Sequence, residues 1–229
     1  MVKVSKKRRI RKKATRRQRG GGLPHVCFQT SKDPIKPYIV KHLKKHLGSD
    51  WTYKHFTDAQ ILDFFHTERH PDYPAEKLVE TFHSFSHGEH KADLFRYYYL
   101  LVKGGVFIDS DLLLEESLSK IVRGKDFVSV RALQPVGSVF NGFLAARPNH
   151  PIIQAAMKHI MTVTNEELTG HYHLLVAKLG TLVDKHMSPS VKLLAELSND
   201  HKSCPIEDPD TGKVVMIHYH NMDPPNSSP

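Results

Sequence analysis

Residues 91–111, KADLFRYYYLLVKGGVFIDSD, constrain this chain more than any other stretch. Their order is an apolar helix carrying an acid and a base, a Gly-Gly stop, a short apolar run, and two carboxylates one residue apart. The pattern predicts a helix over Glu89–Lys103. Gly104-Gly105 ends it, because glycine accepts the left-handed conformation that closes many helices. Val106–Ile108, apolar at every position, fits a strand covered on both faces. Strands of that kind sit in sheets flanked by helices, so an α/β fold is expected.

The rest of the body alternates in the same way. Val26–Thr30 reads as a first strand. An amphipathic helix follows from Pro34 and Pro37 to about Leu47, with Ile39, Val40, Leu43 and Leu47 at helical spacing. Trp51–Phe56 reads as a second strand, and Thr57 caps a helix containing Ile61, Leu62, Phe64 and Phe65. A short helix near Ala75–Thr81 follows the Pro71 and Pro74 turn. Strands over Asp126–Val130 and Val139–Ala145 come next, then helices from Pro151, over Tyr172–His186 and over Val191–Leu197. Val214–His220 is the last expected strand. Strands alternating with helices argue for a mainly parallel sheet.

Asp109 and Asp111 stand where a buried strand gives way to a loop, the edge at which open parallel sheets bind ligands. On an extended segment they point the same way. Two such carboxylates repel unless a cation lies between them, and oxygen ligands suit Mg²⁺ or Mn²⁺, which complete their shells with substrate phosphates. Asp208-Pro209-Asp210 has the same spacing, but Thr211-Gly212 follows it and it reads as a turn. Asp93 and Arg96 share a helix face. Their neighbours Leu94, Phe95, Tyr98 and Tyr99 suggest a buried helix, where charges need a reason to exist. A hydroxyl for the carboxylate and an anionic oxygen for the guanidinium supply one.

The formal charge of +9 misleads. Residues 1–22 hold eleven of the 33 Lys and Arg and no acid, which leaves 22 basic against 24 acidic residues in the body. A self-repelling arm of this kind is expected to be disordered alone, joined to a single domain at 23–229 by Gly20-Gly21-Gly22. It suits a nucleic acid or an anionic membrane surface, although no aromatic is interleaved for base stacking. Cys27 and Cys204 define no disulfide framework or thiolate metal site, and Cys27 reads as a core residue. With no apolar run near the roughly 20 residues of a membrane span and no signal-peptide core, the chain is expected to be soluble and cytoplasmic, or nuclear through the arm.

The central block resembles the motif of the DXD-containing sugar transferases, a group that includes initiation-specific α-1,6-mannosyltransferases, α-1,4-galactosyltransferases and glucosylating toxin domains. Ala92, Asp93, Arg96, Tyr97, Gly104, Gly105, Asp109 and Asp111 carry the likeness. Leu23–Thr30 is similar to the family's opening strand, and Asn141–Pro151 to its later strand-to-helix element. The resemblance implies a GT-A type, Rossmann-like fold with helices flanking a mainly parallel sheet. It also implies a UDP- or GDP-hexose donor, a divalent metal, and retention of anomeric configuration. Asp93 and Arg96 would then contact the nucleotide sugar, with Gln29 and Thr30 lining the nucleotide pocket. Asp109 would hold ribose and metal, and Asp111 the metal. The acceptor is a glycan, lipid or protein.

Phe107 stands where that family often has Tyr, and Ser31 where an aromatic is frequent. Asn141 can orient sugar or acceptor, since an amide both donates and accepts. His218 and His220 alternate on the last expected strand and are candidates to return to the metal from the far end of the chain. His171 and His173 have the same spacing within a helical pattern and read as surface or packing residues. Three competing readings stand beside a hexosyltransferase. They are an inactive relative kept for binding, a nucleic-acid-binding protein acting through its arm, and a metal-dependent phosphohydrolase, which would need a second set of acids.

Overall fold

The computed structural model describes residues 22–198 and 202–219; the arm through Gly21, and His220, lie outside the described residues. The chain begins with β1 (Val26–Thr30), α1 (Pro37–His46), β2 (Thr52–Phe56), α2 (Asp58–Thr67) and α3 (Ala75–Ser84). It continues through α4 (Gly88–Val102), β3 (Gly105–Ile108), β4 (Leu112–Leu114), α5 (Leu118–Ile121), β5 (Phe127–Arg131) and β6 (Val139–Ala146). Last come α6 (Pro151–Ile160), α7 (Asn165–Gly170), α8 (Leu174–Lys185), β7 (Val191–Glu196), β8 (Cys204–Asp208) and β9 (Lys213–His218).

Local chemistry sets several of these boundaries. Thr57 opens α2 with a reciprocal capping box: its Oγ1 accepts from the Gln60 N–H, and Gln60 Oε1 accepts from the Thr57 N–H. Pro151 starts α6, and Nδ1 of His150 accepts from the Ile152 N–H at 3.3 Å. Burial lowers the His150 pKa to about 4, so that nitrogen stays a bare acceptor.

Among the described residues the strands form one nine-stranded sheet in the order β2-β1-β3-β6-β5-β7-β8-β9-β4. The pairs β2–β1, β1–β3 and β5–β7 are parallel, while β6, β8 and β4 run against their neighbours. Six strands therefore share one direction and three oppose it, a mixed α/β sheet. Segment 191–197, expected as a helix, is β7. Its Lys, Leu, Ala and Glu residues favour helix locally, but five of its residues pair with β5 and bury Val191 and Leu194. The strands β4 and β8 and the short helices α5 and α7 had no clear period in the sequence.

The sheet separates two apolar layers, and the alternation of β1 and β3 divides residues between them. Phe28 and Phe107 face the layer built on α2, α3, α4, α6 and α8, whereas Cys27, Val106 and Ile108 face the other. Burial pushes the Cys27 thiol far above its usual range, leaving a small inert core residue. Ten of the fifteen residues of α4 are buried, among them Tyr97, Tyr98 and Tyr99. Each large side chain so covered contributes about 1.5–3 kcal/mol. Among the described residues no helix is long and apolar enough to cross a membrane.

Candidate functional site

The joint between α4 and β3 fixes the site. Gly104 and Gly105 adopt φ of +68° and +119°. A Cβ on Gly105 would stand 2.7 Å from the carbonyl oxygen of Val26, so only glycine lets β3 lie against β1 there. The strand then runs straight into Asp109, whose N–H donates to the Gly142 carbonyl at 2.8 Å. That contact lies where parallel β1–β3 pairing gives way to antiparallel β3–β6 pairing. It draws the end of β3, the face of α4 and the start of β6 around one cavity of about 390 Å³.

Asp93, Arg96, Asp109, Asp111, Asn141 and His218 all line that cavity. Arg96 is its electrostatic hub. Nη1 donates to the Asn141 carbonyl at 2.6 Å and lies 3.6 Å from Oδ2 of Asp109, while Nε is 3.4 Å from Oδ1 of Asp93. The guanidinium also stacks over the Phe107 ring at 4.0 Å. Phenylalanine at 107 therefore serves as an apolar floor for the cation. Burial alone would lower the Arg96 pKa, but the carboxylates of Asp109 and Asp93 more than offset it, so the charge is secure.

The carboxylates respond to the same setting. Burial lifts Asp93 from 3.8 to about 6, against the pull of Arg96 and with a further push from Asp109. Asp109 is also raised, chiefly by desolvation, although about a third of its side chain opens onto the cavity. Asn141 joins the network through both ends of its amide: Oδ1 accepts from the Tyr97 hydroxyl at 2.9 Å and Nδ2 donates to Asp93 at 3.0 Å.

The last strand closes the cavity from the other side. Pairing of β4 with β9 sets Leu112 opposite His218, and the Tyr219 N–H donates to the Asp111 carbonyl at 2.8 Å. Nε2 of His218 lies 3.5 Å from Oδ2 of Asp111, and its ring packs on Phe140 at 4.4 Å. Oδ1 of Asp111 is sealed from solvent with no hydrogen-bond partner. Among the described residues no three acidic, His or Cys side chains converge into a ready-made metal cage. The carboxylates of Asp109 and Asp111, the latter with one unmet oxygen, and the His218 imidazole nevertheless fit a divalent cation that completes its shell with phosphates.

Gln29 is placed differently. It is buried, donates to the Asp109 carbonyl at 3.3 Å, and accepts from the Tyr53 hydroxyl at 3.0 Å. It braces the loop carrying the carboxylates, and neither it nor Thr30 lines the cavity. Asp208 and Asp210 lie in and beside the β8–β9 turn and hold Lys192 at 2.7 and 3.1 Å. His171 and His173 are exposed and precede α8, and His173 lies on the cavity rim. Sequence reasoning gave no role to Glu89, His90, Phe140 or Tyr172, which also line the cavity. Only Glu89 carried a signal, the helical spacing 89, 93 and 96.

Comparison with known proteins bears on this arrangement. Residues 30–128 match the family model described as the glycosyltransferase sugar-binding region containing the DXD motif. This stretch matches the sugar-binding region of the DXD-containing sugar transferases. Mannosyl phosphorylinositol ceramide synthase CSH1 of Saccharomyces cerevisiae is 30% identical over 141 residues, 60% of this chain and 35% of that protein. Inositol phosphoceramide mannosyltransferase 1 of Schizosaccharomyces pombe is 25% identical over 155 residues, 65% of this chain and 46% of the other. This chain thus spans less than half the length of either relative. Among solved structures, the PaToxG glycosyltransferase shares the fold with a TM-score of 0.53 and 13% identity, over 72% of this chain and 70% of that one.

Proposed function

We propose that this chain transfers a hexose from a UDP- or GDP-sugar to a hydroxyl of a glycan, lipid or protein, with retention and with the help of Mn²⁺ or Mg²⁺. One observation carries the reading: strand-end Asp109 and Asp111 open onto the same cavity as a buried Asp93–Arg96 pair. Buried charges persist only where they are paired and hydrogen-bonded, and this pair, set in a cavity wall, also suits a charged, hydroxyl-bearing ligand. The relatives named for mannosyl transfer make mannose the first sugar to test, and a phosphoinositol lipid the first acceptor.

Asp109 and Asp111 would hold the cation, with His218 beside Asp111 as a third donor. A cation held there would supply positive charge against that growing on the diphosphate as its bond to the anomeric carbon breaks. Arg96 adds a second fixed positive charge at the cavity floor, where the surroundings make it count for more than in water. Asn141 holds the Asp93 carboxylate in place, and Asp93 accepts from a sugar hydroxyl. The acceptor hydroxyl oxygen would bond to the anomeric carbon as the bond to the nucleoside diphosphate breaks, its proton passing to the departing phosphate oxygen.

The test is donor hydrolysis and transfer with UDP-glucose, UDP-galactose and GDP-mannose, each with and without Mn²⁺. Metal-assisted release of UDP or GDP from one of them is expected. Well-folded protein that takes up none of the three, with or without metal, would overturn the reading.

A further inference from the structure

The cavity continues past the carboxylates along α4, and its far wall has no role in the chemistry above. Glu89, His90, Asp93 and Arg96 line it in turn. At about 1.5 Å rise per residue, His90 lies roughly 4.5 Å beyond Asp93 along α4, on the side away from Arg96. Beside a ligand that places its phosphates at Asp109 and Asp111 and a hydroxyl at Asp93, His90 is the next residue along the same wall.

His90 is only 3% exposed, and its Nδ1 is sealed from solvent without a hydrogen-bond partner. Nothing in the fold of α4 requires a polar ring there, and an unmet buried polar atom costs about 1–3 kcal/mol. The rings of Phe85, His87 and Tyr172 surround it at 6.3, 5.6 and 6.5 Å. Burial lowers its pKa despite the opposing charge of Glu89, which keeps the ring neutral at neutral pH. A neutral imidazole donates at one nitrogen and accepts at the other, so it suits a hydroxyl better than an anion.

Tyr172 stands at the mouth of the same cavity, in the turn between α7 and α8, and is 64% exposed. Its hydroxyl titrates high because of burial and, after that, the carboxylates of Glu89, Asp93 and Asp109. Its ring lines the cavity and stands 6.5 Å from that of His90, so one side of the phenol borders the site while much of it stays exposed. An aromatic face beside a neutral hydrogen-bonding ring matches a sugar, which shows C–H groups on its faces and hydroxyls at its edge.

Resting on the glycosyltransferase reading, we propose that His90 and Tyr172 form the wall that selects the transferred hexose, His90 bonding one of its hydroxyls and Tyr172 covering its face. In this placement neither residue is given a contact with the diphosphate. The wall thus discriminates between sugars and leaves the affinity for the nucleotide alone unchanged.

Calorimetry on the full chain with Mn²⁺ tests this, using UDP and GDP and, beside them, UDP-glucose, UDP-galactose and GDP-mannose. The unsubstituted protein should bind one nucleotide sugar more tightly than its parent diphosphate. His90→Ala and Tyr172→Ala should each reduce that hexose-dependent gain about tenfold and leave diphosphate affinity within about twofold. His90→Gln, which keeps a donor and an acceptor, should recover part of the gain. Because Tyr172 is exposed, its variant keeps the test open if substitution at His90 prevents folding. An unchanged gain in Tyr172→Ala and in any folded His90 variant overturns the wall while leaving the transferase reading intact. An equal loss for the bare diphosphate overturns it too, since the residues would then serve the nucleotide. If the unsubstituted protein binds no nucleotide, the transferase reading falls first and this one with it.

Discussion

Nδ2 of Asn141, on β6, donates to Oδ1 of Asp93, on α4, at 3.0 Å, and the other end of the same amide accepts from Tyr97 one turn further along the helix. One side chain thus fixes the face of the cavity-lining helix relative to the sheet. Asn141→Ala leaves a buried carboxylate and a buried hydroxyl each short of a partner. The expected destabilisation is about 2–4 kcal/mol. Combining it with Tyr97→Phe should cost less than the sum of the two, because the first substitution has already broken their shared bond. Urea unfolding of the four proteins measures the coupling, and strict additivity would remove the network.

Asp93 also predicts a pH dependence. Its pKa rises from 3.8 to about 6 on folding, so between those values the native state holds a proton that the unfolded chain releases. The protonated acid therefore favours folding below about pH 4, and that advantage is lost as pH rises through about 6. Asp93→Asn cannot titrate. From pH 5 to pH 7.5 the unsubstituted protein should lose about 1.4 kcal/mol relative to this variant, the free energy of a tenfold difference in proton affinity. Parallel stability differences across that range would show that Asp93 has an ordinary pKa.

The element pattern and the central motif were legible because they depend on near neighbours. The α4 period, the Gly-Gly stop and the Thr57 cap are all set within a few residues, and each stands close to where the sequence puts it. β7 was not legible, since its helix-favouring residues become a strand only through pairing with β5, some sixty residues earlier. The site divides along the same line. Asp93, Arg96, Asp109 and Asp111 could be read from one contiguous block. The approach of His218 to Asp111 depends on β4–β9 pairing across about a hundred residues. The family likeness of the opening strand points Gln29 to the nucleotide pocket, yet Tyr53 and the Asp109 carbonyl occupy its amide.

Gly105→Ala tests whether the glycine joint positions the carboxylates. The new Cβ would meet the Val26 carbonyl oxygen at 2.7 Å, and the backbone at φ +119° disfavours any side chain. Relief requires β3 to move away from β1, so a loss of about 2–3 kcal/mol is expected. Gly124→Ala is the comparison, since that glycine also has positive φ (+67°) but nothing within 4 Å of the added atom. Its cost should be smaller. Equal losses in the two variants would show that backbone conformation, and not contact with β1, makes glycine necessary at 105.

Asp111→Asn tests the charge at the strand end. The amide keeps the shape of the side chain and its neighbour His218, but removes a negative charge from the cavity. If that charge holds a cation against the leaving diphosphate, transfer should fall at least about a hundredfold, or roughly 2.7 kcal/mol of transition-state stabilisation. Stability should not fall with it, because the carboxylate has an unmet buried oxygen and its partners are few. Asp210→Asn is the matched control. It belongs to the chain's other Asp-x-Asp pair, in the β8–β9 turn beside Lys192, and should leave transfer within about twofold. Full transfer by Asp111→Asn at saturating Mn²⁺ and donor would take the cation away from this carboxylate, whatever the fold resembles.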